Sequence, residues 1–107
     1  MKKYEVIVTL EAGDDIREAF LYIHNRSPLN ARRWLKGLYK EIDTLEHFPE
    51  RCGKARETEF LGEELRQLIY KSLRIVFQVL RSPNRVCVLY VRHAKQRAAG
   101  EDCAENK

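Results

Sequence analysis

The chain has 107 residues, 44% of them hydrophobic and 34% charged, with a formal net charge of +4. That length suits one domain with a single hydrophobic core, and no apolar run approaches the ~20 residues needed to span a bilayer. The three cysteines, Cys52, Cys87 and Cys103, are odd in number and widely spaced, which argues against a disulfide framework and against a zinc site.

Tyr4 to Leu10 alternates Tyr4, Val6, Val8 and Leu10 with Glu5, Ile7 and Thr9, a pattern that predicts a strand with one better-buried face. Gly13-Asp14-Asp15 reads as its break, and Asp15 followed by Glu18 resembles a capping box opening a helix. Ile16, Ala19, Phe20 and Ile23 form that helix's apolar stripe, which should end near Asn25. Ser27-Pro28 restarts the chain as N-cap and first helical residue. Ala31, Trp34, Leu35, Leu38, Ile42 and Leu45 make the stripe of a longer helix stopped by Pro49, so an antiparallel helical hairpin is expected. Arg32, Arg33, Lys36 and Lys40 fall off the stripe and read as a solvated face. Trp34, Tyr22 and Tyr39 are expected to pack in the core or the hairpin.

Glu50 to Glu64 has no clean period and reads as a loop. Strands are expected at Leu65–Tyr70, Arg74–Leu80 and Arg85–His93, with Ser82-Pro83-Asn84 as a hairpin turn. In the second of these, Ile75, Phe77 and Val79 share one face and Arg74, Val76 and Gln78 the other. The third is rich in Val and Leu and should be central or well covered, with Cys87 as a small core residue. The fold class is therefore α+β, in the order β-α-α-β-β-β: an N-terminal strand, an antiparallel helical hairpin and a three-stranded antiparallel sheet. Residues 1–97 form one domain and 98–107 a flexible tail.

Charge is segregated along the chain. Residues 1–64 hold 11 Lys/Arg against 13 Asp/Glu, whereas residues 65–100 hold eight Lys/Arg and no acid. Such asymmetry speaks to partners rather than to the fold. A cationic sheet calls for a polyanion or an acidic partner. The N-terminus, Met-Lys-Lys-Tyr-Glu-Val, lacks a signal-peptide pattern, which points to the cytoplasm.

The element order, together with Phe48-Pro49-Glu50-Arg51-Cys52-Gly53, Leu65-Arg66-Gln67-Leu68, Leu73-Arg74-Ile75-Val76-Phe77 and Leu89-Tyr90-Val91-Arg92-His93, resembles the RelE/ParE superfamily of bacterial toxins. The likeness runs over essentially the whole chain to about Arg97. It implies the toxin of a type II toxin–antitoxin system, a class tied to growth arrest and plasmid stabilisation. The implied partner is a small cognate antitoxin that wraps the toxin with an extended, helix-containing segment. RelE-like members cleave mRNA on the ribosome without a metal; ParE-like members poison DNA gyrase. No cofactor is implied, and the fold alone does not choose between the activities.

Metal-free RNA cleavage needs a base for the 2′-OH, a cation for the phosphorane and an acid for the leaving oxygen. On the resemblance, Arg74 matches the arginine opening the family's Arg-Ile/Leu-x-Phe/Tyr strand and is the candidate cation, assisted by Arg66. His93 is the candidate acid, since histidine is the side-chain type suited to proton transfer near neutral pH. Lys54, Arg51 and Arg56 would hold flanking phosphates, and Arg92, Lys95 and Arg97 add to a partner-binding surface. The bland alternatives are an ion pair from Arg74 to the helical hairpin, a sheet cap at His93 and a surface role for Arg66. No aromatic residue follows His93, and nothing aims Glu57, Glu59, Glu63 or Glu64 at a substrate, so the set lacks a base. The long helical hairpin also favours ParE. The expectation is a gyrase inhibitor acting by binding, with a ribosome-dependent mRNA endonuclease as the alternative. A degenerate toxin that keeps only antitoxin binding is the third reading.

Overall fold

Thr9, rather than Asp15, starts the first helix. In the computed structural model, which describes residues 3–56, 58, 64–81 and 83–93, strand β1 is Glu5–Val8 and helix α1 follows directly as Leu10–His24. The Thr9 hydroxyl accepts from the Ala12 N–H at 3.3 Å and donates to the Val88 carbonyl at 2.8 Å. One side chain thus caps a helix and anchors it to the sheet, a tertiary gain that outweighs the helix penalty of Gly13. Asp15 lies inside α1, and its carboxylate accepts from the backbone N–H of Val91 at 3.0 Å. Leu10, assigned to the buried face of a strand, is 88% exposed at the helix start.

The rest of the hairpin forms where its local signals place it. Asn25 caps α1, and Ser27 accepts from the Asn30 N–H at 3.3 Å, with Pro28 opening α2 (Pro28–Asp43). Ala31, Trp34, Leu38 and Ile42 are buried along α2, and Leu45 is buried on a 3-10 turn, Thr44–Glu46. A second such turn is Pro49–Arg51. Tyr22 and Tyr39, expected to pack, are 62% and 40% exposed. The Tyr22 ring lies instead under the Arg26 guanidinium, 4.8 Å from its centroid.

Strands β2 (Arg66–Tyr70), β3 (Leu73–Arg81) and β4 (Asn84–His93) form the antiparallel meander. The chain adds β1 to it, parallel to β4 from Glu5 opposite Arg85 to Val8 opposite Val88, so the sheet is mixed with order β1-β4-β3-β2. The Val- and Leu-rich β4 is interior, as its composition requires. The hairpin covers one sheet face, where Ile16, Trp34, Leu38, Ile42 and Leu45 pack on Ile75, Phe77, Val86, Val88 and Val91. A bulge between Val76 and Phe77 shifts the register, with Val76 opposite Tyr90 and Phe77 opposite Val88. On the other face a smaller cluster of Ala55, Leu65 and Val76 covers the middle of β3. Cys87 is half-buried rather than in either core, because it alternates with the buried Val86 and Val88. No described helix is long and apolar enough to cross a membrane. The expected tail, 98–107, lies outside the described residues.

One close approach fixes how the sheet meets α2. The Tyr70 hydroxyl donates to the Trp34 carbonyl at 3.1 Å, and a Cβ at Gly37 would collide with that same hydroxyl. Gly37→Ala is therefore expected to destabilise by about 1–2 kcal/mol, despite the ~0.5–1 kcal/mol that alanine gains within a helix. In a Tyr70→Phe background the same change becomes neutral or stabilising, so urea denaturation of the four proteins should give a coupling above ~1 kcal/mol. Stabilisation by Gly37→Ala alone would contradict this packing.

Candidate functional site

Strand alternation sorts the candidate residues before any chemistry is considered. Arg74 stands opposite Arg92 across β3 and β4, on the sheet face turned away from the hairpin. His93 stands opposite Leu73, on the hairpin face, and Arg66 stands opposite Phe77 at the far edge of that same face. The register thus separates the three residues nominated for catalysis.

Arg66 is held in place by the backbone of the loop. Its guanidinium donates to the Cys52 carbonyl at 2.6 Å and to the Glu50 carbonyl at 3.2 Å, and pairs with Glu64 at 3.3 Å. Lys54 bridges to the same residue through its backbone and is exposed, as is Arg56. Arg51 is exposed, but its guanidinium bonds to its own turn. It donates to the His47, Phe48 and Thr44 carbonyls at 2.8, 3.1 and 3.4 Å and to the Thr44 hydroxyl at 2.9 Å. That clamp holds Phe48 in the left-handed region, φ 49 and ψ 57, a conformation that costs a non-glycine residue about 1–2 kcal/mol.

Arg74 is 4% exposed, and among its partners is the Gln67 side-chain oxygen at 3.2 Å. Arg92 faces it directly, with its guanidinium 5.4 Å from the centre of the Tyr90 ring. The Arg92 Nε is buried without a hydrogen-bond partner among the described residues. Two like charges placed opposite each other on a sheet repel. His93 sits instead beside Asp15, Glu18 and Leu73 in a groove of about 230 Å³, and also lines an adjoining one of about 440 Å³ with Tyr22, Ile23 and Trp34. Lys95 and Arg97 lie outside the described residues, as do Glu57, Glu59 and Glu63.

A further polar cluster joins the chain's start to its loop. The Tyr4 hydroxyl donates to Glu50 at 3.1 Å, and Arg81 pairs with the same carboxylate oxygen at 2.9 Å. Burial pushes the Glu50 carboxyl up, but backbone and side-chain hydrogen bonds and the Arg81 charge outweigh it and hold the group below its ordinary value. Burial and the adjoining carboxylate push the Tyr4 hydroxyl up. Burial likewise raises the Cys52 thiol against the lowering charges of Arg51 and Arg66, which disfavours its nucleophilic form. Among the described residues, no group of three or more His, Cys, Asp and Glu could hold a metal ion.

Sequence reading missed the strained, exposed Phe48 and the internal use of Arg51 and Arg66. The Phe48-Pro49 step signalled a break but not its hand, because a residue before proline is driven to extended backbone and Phe48 is left-handed.

The family model for the ParE toxin of type II toxin–antitoxin system, parDE, matches residues 6–98. Among solved structures, the chromosomal ParDE TA system from P. aeruginosa is 16% identical with a TM-score of 0.70, covering 87% of this chain and 98% of that chain. The toxin–antitoxin complex RelBE2 from Mycobacterium tuberculosis is 23% identical with a TM-score of 0.60, covering 87% of this chain and 93% of that one. At such identities the likeness is one of fold. No curated protein matches the chain significantly.

Proposed function

The chain belongs to the ParE toxin family of type II toxin–antitoxin systems, and from that premise we propose that it arrests growth by binding and inhibiting DNA gyrase. A cognate antitoxin holds it silent. The observation that carries this reading is the separation of Arg66, Arg74 and His93: one is bound to loop carbonyls, one lies on the far sheet face and one lies beside α1. A nuclease needs its cation and its acid within reach of one phosphate. A binding surface has no such demand. The antitoxin is expected to lay an acidic segment over the far sheet face, meeting the half-buried Arg92 beside the buried Arg74.

That same arginine pair favours the second reading, a ribosome-dependent mRNA endonuclease, because two adjacent guanidinium groups suit a phosphodiester. Induced expression separates the two. The expected outcome is growth arrest with a DNA-damage response and intact transcripts, reversed by the antitoxin. Codon-phased cuts in primer extension, lost in Arg74→Ala, would establish the endonuclease instead. No arrest at all would leave the antitoxin-binding remnant.

A further inference from the structure

The two outer edges of the sheet are covered unequally. Along β2 the Gln67 N–H donates to the Gly53 carbonyl at 3.0 Å and Lys54 bridges to Arg66, so the loop lies over that edge. The other edge is β1, whose amides alternate in direction. The Thr9 N–H donates to Val88 on β4, whereas the Tyr4 N–H points the opposite way, to the Glu46 carbonyl at 2.9 Å. Glu5 and Ile7 therefore bond to β4, and Val6 and Val8 turn their N–H and C=O groups outward, with no partner among the described residues. Each lines an open groove, of about 560 Å³ at Val6 and about 520 Å³ at Val8. β1 carries neither proline nor lysine, two residues that blunt an exposed edge.

This open stretch is complementary to itself. Antiparallel pairing of Val6 with Val8 of a second copy matches every outward N–H to an outward C=O. The two-fold axis then passes at Ile7, which meets its own copy on the face away from the hairpin. Glu5, held by Arg85 at 3.2 Å, faces Thr9, so no like charges oppose each other. Tyr4, whose N–H is taken by Glu46, falls opposite Leu10, where α1 begins, so the pairing stops at both ends together. Leu10 is 88% exposed in the single chain and gains cover there. One residue further, Lys3 comes beside Glu11. Lys3 is exposed with a loose 3.9 Å contact to Glu46, and Glu11 is exposed with no ion pair among the described residues. Sliding by two residues sets Val8 against the already bonded Tyr4, or Val6 against the helical Leu10, and loses bonds either way.

We infer that β1 is the pairing edge for a second copy of this chain, joined antiparallel through Val6 and Val8 into one continuous sheet. Paired strands share their faces, so both helical hairpins lie on one side and both Arg74–Arg92 faces on the other. The dimer thus forms without covering the surface expected to take the antitoxin.

Sedimentation of the purified toxin over a concentration series tests this edge. The wild type should pass from the 12.7 kDa chain to twice that mass as concentration rises to about 100 μM, a generous ceiling for a small interface. Val6→Pro removes an outward N–H and no bond to β4, and should stay monomeric with a wild-type circular dichroism spectrum. Lys3→Glu and Glu11→Lys each set like charges together and should weaken pairing by about tenfold. Mixed in equal amounts, these two variants should pair with each other at wild-type strength, because each contact between positions 3 and 11 again joins opposite charges. A dimer whose affinity neither charge reversal changes would overturn this pairing, as would a mixture that associates no better than its components. A wild type still monomeric at about 100 μM would overturn it too, and antitoxin affinity lost in Val6→Pro would then assign the edge to an antitoxin strand. If Val6→Pro fails to fold, the charge-reversed pair decides alone.

Discussion

Phe77→Ala is expected to destabilise the fold by about 3–5 kcal/mol, the range for removing a fully buried aromatic side chain. Phe77 is 0% exposed and sits where β3, opposite the bulge of β4, meets the hairpin stripe. At ~4–8 °C per kcal/mol for a domain near this size, the melting temperature should fall by at least about 12 °C. Its neighbour Val76 is also 0% exposed but points to the opposite face, against Ala55 and Leu65. Val76→Ala removes two methyl-sized groups and should cost only about 1.5–2 kcal/mol. Equal losses at the two positions would contradict a fold with one principal core and one minor one.

Arg66→Ala is expected to cost about 2–3 kcal/mol, because it strips charge-assisted hydrogen bonds from the Glu50 and Cys52 carbonyls. The Glu64 pair adds little, since that carboxylate side chain is 57% exposed. Arg66→Lys should recover only part of the loss, as an ammonium does not present the fork that reaches both carbonyls. Toxicity of Arg66→Ala should then track the folded fraction and return at lower growth temperature. An Arg66→Ala protein of wild-type stability but without toxicity would move Arg66 from loop anchor to functional group.

Much of the architecture is legible in the chain because its signals are local. Ser27-Pro28 restarts a helix wherever it occurs, and the alternation of Ile75, Phe77 and Val79 with Arg74, Val76 and Gln78 assigns β3 its two faces. What escapes is set by distant partners. Asp15 looks like a cap beside Glu18, yet the Val91 N–H takes its carboxylate and Thr9 caps instead. Nothing within Glu5–Val8 announces a parallel partner some 80 residues away. The candidate site suffers most. Arg66, Arg74 and His93 can each be nominated from motif position, but their separation emerges only once the strand register is known. Arg51 is a surface cation in sequence and structure alike, but its hold on the turn emerges only once the carbonyls around it are in place.

The most direct measurement of the central claim uses purified toxin with gyrase on relaxed plasmid, alongside the same toxin in a translating ribosome mixture. Binding inhibition predicts that supercoiling stops as toxin approaches stoichiometry with gyrase, that the antitoxin restores it, and that the mRNA stays whole. Active gyrase together with mRNA cut at the ribosomal A site would contradict it.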